Sequence, residues 1–179
     1  RSTYLDFFDG VENESAIGEA SVLYMYEPLA ARRIKAFNPE MKLIACLRNP
    51  IERAYSSYLH LRRDARESQS DFSRALAQEQ GRIDANWEHQ WHYTRLGFYY
   101  EQLKRYYDLF PSEQIAVYLY DDFKQNPQAT LQEIYRFLGV NESFSPDFSL
   151  RMNVSGRPRS RAVHELSLIH ISEPTRQKP

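Results

Sequence analysis

A short apolar run that ends in a proline turn and continues as a helical pattern constrains this fold most. Lys42–Leu47 (KLIACL) is nearly continuous in apolar residues, which is typical of a strand buried on both faces of a parallel sheet. The turn Arg48–Pro50 ends this strand, and a proline suits the first turn of a helix. Apolar residues then recur at helical spacing, at Ile51, Ala54, Tyr55, Tyr58 and Leu61. The sequence therefore predicts a buried strand, a tight turn and an amphipathic helix in succession.

Helix and strand patterns alternate along the rest of the chain. Gln114–Tyr120 (QIAVYLY) is β-branched and aromatic and predicts a second strand, and residues 17–26 predict a loop or a short strand. Helices are predicted over Leu29–Phe37, Phe72–Trp87 and Leu96–Phe110, and from Asn126-Pro127 to a left-handed C-cap at Gly139. Strands separated by helices imply right-handed crossovers, so the predicted fold class is α/β with a parallel sheet flanked by helices.

Charge and cysteine content exclude several function classes. The chain of 179 residues has 23 Lys and Arg against 24 Asp and Glu, a net charge of -1, so it offers no overall electrostatic footprint for nucleic acid. Any anion site must be local. The single cysteine, Cys46, excludes an intrachain disulfide framework and a cysteine-based zinc cluster, and we expect a buried, inert thiol. No apolar stretch approaches the roughly 18 residues of a membrane span, so no membrane segment is visible.

The turn after the first strand is a candidate anion site. Ligands of open α/β sheets bind beyond the carboxyl ends of the strands, where Arg48 lies, and a guanidinium fork matches a pair of phosphate or sulfate oxygens. Ser56 follows Asn49 by almost two helical turns, about 10 Å along the axis, on the same face. Arg48 and Ser56 could therefore meet at one anion near the helix N-terminus. On spacing alone, an ordinary surface ion pair and a solvated serine remain open.

The full string from Arg48 to Tyr58, RNPIERAYSSY, resembles the 3'-phosphate-binding motif of PAPS-dependent sulfotransferases, R-[D/N]-P-x-[E/D]-R-x-x-S-x-[Y/F], at each specified position. PAPS is 3'-phosphoadenosine 5'-phosphosulfate, a sulfuryl donor. The resemblance runs from about Gly18 to Arg161 and is to the glycan branch, which includes heparan sulfate sulfotransferases and bacterial relatives. It implies a P-loop-like fold, incomplete in this chain, with Arg48 and Ser56 as cofactor-binding ligands of the 3'-phosphate and 3',5'-ADP as the product.

The chain departs from the family pattern before Arg48. Family members carry an earlier strand, a phosphate loop with a Lys, and a helix, and no Gly-rich loop with a Lys precedes Arg48 here. The glycan branch usually takes its catalytic Glu from the region soon after that loop. Glu19 is not a safe substitute, so the catalytic residues stay unknown: we expect the usual Lys and Glu in a missing N-terminal part. We expect this fragment by itself to be inactive.

The end of the chain resembles foreign sequence. Leu166–Arg176 (LSLIHISEPTR) matches the translation of a widely used transposase sequencing adapter residue for residue. We therefore expect residues 1–165 to be a partial sulfotransferase domain and residues 166–179 to be a non-native tail. The alternative is a natural strand followed by a polar tail. Upstream, residues 153–161 (NVSGRPRSR) occupy the place of a basic loop that closes over the cofactor, or are plain surface.

The predicted function is transfer of a sulfuryl group from PAPS to a hydroxyl or amine of an acceptor, a carbohydrate, without a metal. Two alternatives stay open: a P-loop nucleotide or nucleoside kinase-like enzyme, and a non-catalytic binding domain that uses its Tyr-rich helices. Trp87–Tyr93 (WEHQWHY) either packs in the core or lines an acceptor groove by sugar stacking. The expected partners are the small-molecule donor and a glycan acceptor. The expected location is the cytoplasm for a bacterial protein and the Golgi lumen for a eukaryotic one.

Overall fold

The computed structural model describes residues 2–149, which form two compact units: residues 2–47 with 100–148, and residues 48–99 with 149. The strands are β1 (Leu43–Leu47) and β2 (Ile115–Leu119). The α-helices are α1 (Ser2–Leu5), α2 (Ala30–Phe37), α3 (Pro50–Arg63), α4 (Phe72–Ala77), α5 (Glu79–Asp84), α6 (Tyr99–Tyr107), α7 (Tyr120–Gln125) and α8 (Pro127–Leu138). Short 3-10 helices cover Asp6–Phe8, His89–Trp91, Arg95–Gly97 and Ser112–Gln114.

The two strands form a parallel sheet. Leu43 pairs with Ile115, and the register continues to Leu47 opposite Leu119. Both strands lie where the sequence predicts them, and the α/β class with a parallel sheet and flanking helices is confirmed. A parallel pair needs a long crossover connection, and here residues 48–114 supply it.

Strand β1 is more exposed than predicted. Leu43, Ala45 and Leu47 are half-buried, but Ile44 is 43% exposed and Cys46 is exposed as well. The prediction of a strand buried on both faces, with a buried thiol at Cys46, is therefore wrong for the part of the chain that the structure describes. Successive side chains of a strand point to opposite faces, and within residues 2–149 only one face of β1 is well covered.

The first unit has its core around α6 and the sheet. The buried members of this core are Ala31, Tyr106, Phe110 and Ile115. Tyr106 also donates a 2.6 Å hydrogen bond to the carbonyl of Tyr24, and Arg105 donates to the carbonyls of Met25 (2.8 Å) and Tyr26 (3.0 Å). Residues 17–26 therefore form turns held by side chains of α6, which is the loop alternative of the prediction.

Helix α8 begins and ends at its predicted residues. Asn126 caps it by accepting from the amide of Ala129 (3.3 Å), and Pro127 opens it. Gly139 has the left-handed φ of 80°, which glycine adopts without a steric penalty. The Lys42 ammonium group donates to the last carbonyls, of Phe137 (2.6 Å) and Leu138 (3.1 Å), where the negative end of the helix dipole favours a cation.

The second unit packs around one side of α3. Its buried apolar residues are Ala54, Tyr58, Leu61, Ala75, Trp91 and Tyr93. The predicted core face of α3 is partly wrong, because Ile51 is 75% exposed and Tyr55 is 37% exposed. The helix predicted over Phe72–Trp87 is two helices. The Asp71 side chain caps α4 by accepting from the amide of Arg74. The chain then turns at Gln78, whose amide donates to the carbonyls of Ala75 and Leu76.

Candidate functional site

The turn from Arg48 to Pro50 leads from β1 directly into α3. The Asn49 side chain accepts from the amides of Ile51 (3.0 Å) and Glu52 (3.3 Å), and Pro50 occupies the first turn. Asn49 thereby satisfies two of the amide donors that a helix start otherwise leaves unpaired. An anion at this helix start would therefore bind mainly through side chains rather than through these two main-chain N–H groups.

Arg48 lies along the first turn of α3, held by Glu52. Its Nε and Nη2 both lie 3.3 Å from Glu52 Oε2, and the two side chains are 35% and 57% exposed. Exposed pairs of this kind contribute little to stability, typically about 0–1 kcal/mol. The surface ion pair that the sequence left open as an alternative for Arg48 is therefore present. Its main effect is to orient the Arg48 guanidinium along the helix.

Ser56 lies one helical turn beyond Glu52. Both residues belong to α3, and residues four apart are neighbours on one helix face. Ser56 is half-buried, and within the described chain no hydrogen bond engages its hydroxyl. The adjacent Ser57 differs, because its hydroxyl donates to the carbonyl of Gln90 at 3.0 Å. The structure thus shows the Arg48 guanidinium beside Glu52, and Glu52 one turn before Ser56 on α3. A joint phosphate site of Arg48 and Ser56 stays a prediction.

Arg53 is the second arginine of the motif string and lies in the second turn of α3. It is half-buried, and its Nη2 donates to the main-chain carbonyl of Tyr93. Burial lowers the pKa of Arg53, while the nearby Tyr99 hydroxyl and Glu79 carboxylate oppose that shift. An arginine with these partners stays charged, so α3 carries a second, half-buried positive group near the Tyr99 hydroxyl. Its fixed position in the family motif is the signal that could have identified it.

Two further contacts reach the turn from residues 97–99. The Tyr99 hydroxyl donates a 2.9 Å hydrogen bond to the carbonyl of Arg48. A Cβ added at Gly97 would lie 2.9 Å from Pro50 Cβ, closer than such atoms approach in real structures. Burial raises the pKa of Tyr99, and Arg53 and Arg48 partly offset this rise. Neither contact follows from the predicted helix over Leu96–Phe110, because the helix begins only at Tyr99 and residues 95–97 form a 3-10 turn instead.

The residues of the aromatic stretch Trp87–Tyr93 differ in which predicted role they fit, core packing or sugar stacking. Trp91, His92 and Tyr93 are all buried, which fits core packing, and burial lowers the pKa of His92. Trp87 is 46% exposed and meets the Trp91 ring edge-on, with centroids 5.2 Å apart. Packing is thus confirmed for residues 91–93, and sugar stacking stays a prediction for Trp87.

Glu19 lies in the first unit. Its carboxylate accepts from the Tyr4 hydroxyl at 3.3 Å, and its hydrogen bond raises the pKa of Tyr24 to about 12.

Within residues 2–149, no group of His, Cys, Asp or Glu side chains is arranged to hold a metal ion. No helix in that part of the chain has the length and apolar character to cross a membrane. Residues 153–161 and 166–179 lie outside the described residues.

Known proteins with similar sequences are sulfotransferases. The chain is 29% identical over 154 residues to human bifunctional heparan sulfate N-deacetylase/N-sulfotransferase 2, covering 84% of this chain and 17% of that protein. It is 27% identical over 122 residues to human heparan sulfate glucosamine 3-O-sulfotransferase 6, covering 68% of this chain and 34% of that protein. Mouse carbohydrate sulfotransferase 15 is 28% identical over 160 residues, covering 72% of this chain and 28% of that protein.

A solved structure matches the fold. The crystal structure of a sulfotransferase from Alicyclobacillus acidocaldarius superposes with a TM-score of 0.81 at 42% sequence identity, covering 85% of this chain and 61% of that one. This chain thus spans less than two thirds of each of these relatives. The family model for the sulfotransferase domain matches residues 5–159, which is most of the sequence. The chain therefore belongs to the sulfotransferase family.

Proposed function

We propose that Arg48 and Ser56 bind the 3'-phosphate of PAPS, and that the protein containing this chain transfers a sulfuryl group from PAPS to a hydroxyl or amine of a glycan. One observation carries this proposal: the Arg48 guanidinium contacts Glu52 in the first turn of α3, and Ser56 follows Glu52 by one turn on the same helix face, within the string RNPIERAYSSY. Family membership itself implies a sulfonate donor and an acceptor.

The residues present fit a phosphate group. The Arg48 guanidinium is 35% exposed, and its contact with Glu52 at 3.3 Å is weak enough to rearrange around a doubly charged anion. Ser56 supplies a neutral hydroxyl one turn beyond Glu52. Arg53 adds a positive charge in the second turn of α3, and the start of α3 adds the positive end of a helix dipole. These features together favour an anion with several acceptor oxygens.

The division of labour follows from the chemistry of the donor. PAPS supplies its sulfuryl group at the 5' end of the adenosine, so residues at its 3'-phosphate bind and orient the donor. By analogy with phosphoryl transfer, the sulfuryl group passes through a loose, in-line transition state, in which positioning and positive charge provide most of the rate. An acceptor hydroxyl also needs a base. The Lys and Glu that serve the family in these steps stay unassigned in this chain.

The names of the relatives support a glycan acceptor. Two of them act on heparan sulfate by name, and the third is a carbohydrate sulfotransferase. The kinase-like alternative and the non-catalytic alternative gain no comparable support. The acceptor is therefore proposed as a saccharide with a free hydroxyl or amino group.

Calorimetry with 3',5'-ADP tests the donor site in the full-length protein. A charge-assisted hydrogen bond contributes about 1.5–3 kcal/mol, so Arg48→Ala should weaken 3',5'-ADP binding at least about tenfold. Arg63→Ala is the matched control, because Arg63 lies in the last turn of the same helix and pairs with Asp64 (3.0 Å). Unchanged affinity in Arg48→Ala would refute the assignment.

A transfer assay tests the activity separately. Wild-type protein incubated with radiolabelled PAPS and heparan-type, chondroitin-type and simple saccharide acceptors should produce labelled glycan. Binding of 3',5'-ADP without transfer to any of these acceptors would favour the non-catalytic binding domain instead.

A further inference from the structure

The main-chain carbonyl of Arg48 is held by a side chain from a distant part of the sequence. The Tyr99 hydroxyl donates to it at 2.9 Å, and Tyr99 is half-buried. The carbonyl of Arg48 shares a rigid plane with the amide of Asn49, because the peptide bond does not rotate. A hydrogen bond that fixes this plane therefore restricts the two flanking torsions, ψ of Arg48 and φ of Asn49. The ψ of Arg48 sets the direction of its side chain relative to this plane.

The donor of this hydrogen bond stands on a well-fixed segment, residues 93–99, which we name the strap. The Glu79 carboxylate is buried and accepts from the amides of Thr94 (2.8 Å) and Arg95 (2.9 Å). Arg53 donates to the Tyr93 carbonyl at the beginning of the strap. Hydrogen bonds to a charged carboxylate are among the stronger ones in proteins. Glu79 thus anchors the strap from α5, outside the Arg48 turn and α3, so the position of the Tyr99 hydroxyl does not depend on the turn alone.

The strap also lies in direct contact with the turn. A Cβ at Gly97 would lie 2.9 Å from Pro50 Cβ, and a proline ring cannot rotate away from it. The glycine therefore allows an approach that a larger residue would prevent. Tyr99 and Gly97 contact the turn on either side of Asn49, at Arg48 and at Pro50.

We propose that Tyr99 is a positioning residue for donor binding: its hydrogen bond holds the Arg48 turn in the conformation from which the guanidinium meets the 3'-phosphate. This inference rests on the proposed function, since it assumes that Arg48 binds that phosphate. It assigns no contact between Tyr99 and the donor. Loss of the Tyr99 hydroxyl should therefore weaken the binding of only those ligands that carry a 3'-phosphate.

The test compares two nucleotides in Tyr99→Phe, made in the full-length protein. A net hydrogen bond of about 0.5–1.5 kcal/mol corresponds to a roughly two- to tenfold change, so 3',5'-ADP binding should weaken by that factor. Binding of 5'-AMP, which lacks the 3'-phosphate, should stay unchanged. Tyr100→Phe is the matched control, because Tyr100 is the next residue and is 78% exposed. An equal loss for both nucleotides would indicate a merely structural role and overturn the inference, as would no loss for either.

A double-variant cycle separates this inference from the proposed function. If Arg48→Ala leaves 3',5'-ADP binding unchanged, the phosphate assignment itself fails. If Arg48→Ala weakens binding but Tyr99→Phe does not, only the positioning role fails. If each single variant weakens 3',5'-ADP binding as predicted, adding Tyr99→Phe to Arg48→Ala should cause no further loss of affinity, because the two residues act through one contact. Should Tyr99→Phe fold poorly, Gly97→Ala provides the second variant: it displaces the strap with the hydroxyl retained, and the same selective loss of 3',5'-ADP binding is expected.

Discussion

Glu67 and Arg82 form a buried, two-pronged ion pair within the 48–99 unit. Arg82 Nη1 lies 2.6 Å from Glu67 Oε2 and Nη2 lies 2.9 Å from Oε1, with side-chain exposures of 6% and 0% for Arg82 and Glu67. The Tyr93 hydroxyl donates to the same carboxylate at 2.6 Å, and the Gln69 amide at 2.8 Å. This network joins the loop after α3 and helix α5 to the first residue of the strap.

Glu67→Gln should strongly destabilise this unit. The variant removes the counter-charge of Arg82 and leaves a buried guanidinium uncompensated, which typically costs about 3–5 kcal/mol. Urea denaturation measures the change. Glu88→Gln is the matched control, since Glu88 pairs with Arg66 at 2.8 Å with both partners partly exposed (65% and 35%), and its loss should cost less than about 1 kcal/mol. Similar costs for the two variants would show that the buried pair is no stronger than a surface one.

The same network predicts a loss of stability in acid. Burial alone would raise the pKa of Glu67, but hydrogen bonds from Arg82, Tyr93 and the Gln69 amide outweigh it, so the pKa lies below its usual range. Unfolded Glu67, with a pKa of about 4.3, then binds a proton at a higher pH than the folded form does. This contribution is complete above that pKa and is lost as the pH falls through the folded value. Unfolding midpoints measured from pH 7 to pH 3 should therefore fall less steeply in Glu67→Gln than in wild type.

Adjacent serines on α3 should separate binding from stability. Ser56→Ala should weaken 3',5'-ADP binding roughly two- to tenfold and leave the unfolding free energy unchanged, because no hydrogen bond within the described chain is lost. Ser57→Ala should do the reverse: it removes the 3.0 Å bond to the Gln90 carbonyl, at about 0.5–1.5 kcal/mol, without an effect on the nucleotide. Calorimetry of both variants measures 3',5'-ADP binding, and urea denaturation measures the free energy of unfolding. A larger binding loss in Ser57→Ala would place the phosphate on a different face of the helix.

Elements whose signals are local could be predicted from the sequence. The start of α3 at Pro50, the cap of α8 at Asn126 and the left-handed Gly139 each depend on the chemistry of one or two residues, and each is confirmed. Both strands were also predicted, because short apolar runs bounded by turn signals are typical of strands.

Contacts between distant segments could not be predicted. Arg53 and Tyr99 reach main-chain carbonyls that lie far along the sequence, at Tyr93 and Arg48, and periodicity carries no information on such partners. Periodicity also misjudged Ile51, which shares the apolar spacing of α3 but lies in its first turn, where it is 75% exposed. Only the family motif distinguished Arg48 and Ser56 from ordinary surface residues.

Two glycines of the 48–99 unit should respond to alanine with opposite signs. At Gly97 a new Cβ would lie 2.9 Å from Pro50 Cβ, so Gly97→Ala forces the strap or the turn to shift and should cost about 1–3 kcal/mol. At Gly81, inside α5, a Cβ would meet no atom within 4 Å, and alanine favours a helix over glycine. Gly81→Ala should therefore stabilise the protein by about 0.5–1 kcal/mol. Urea denaturation of both variants checks the pair, and a neutral Gly97→Ala would show that the strap does not press on Pro50 in solution.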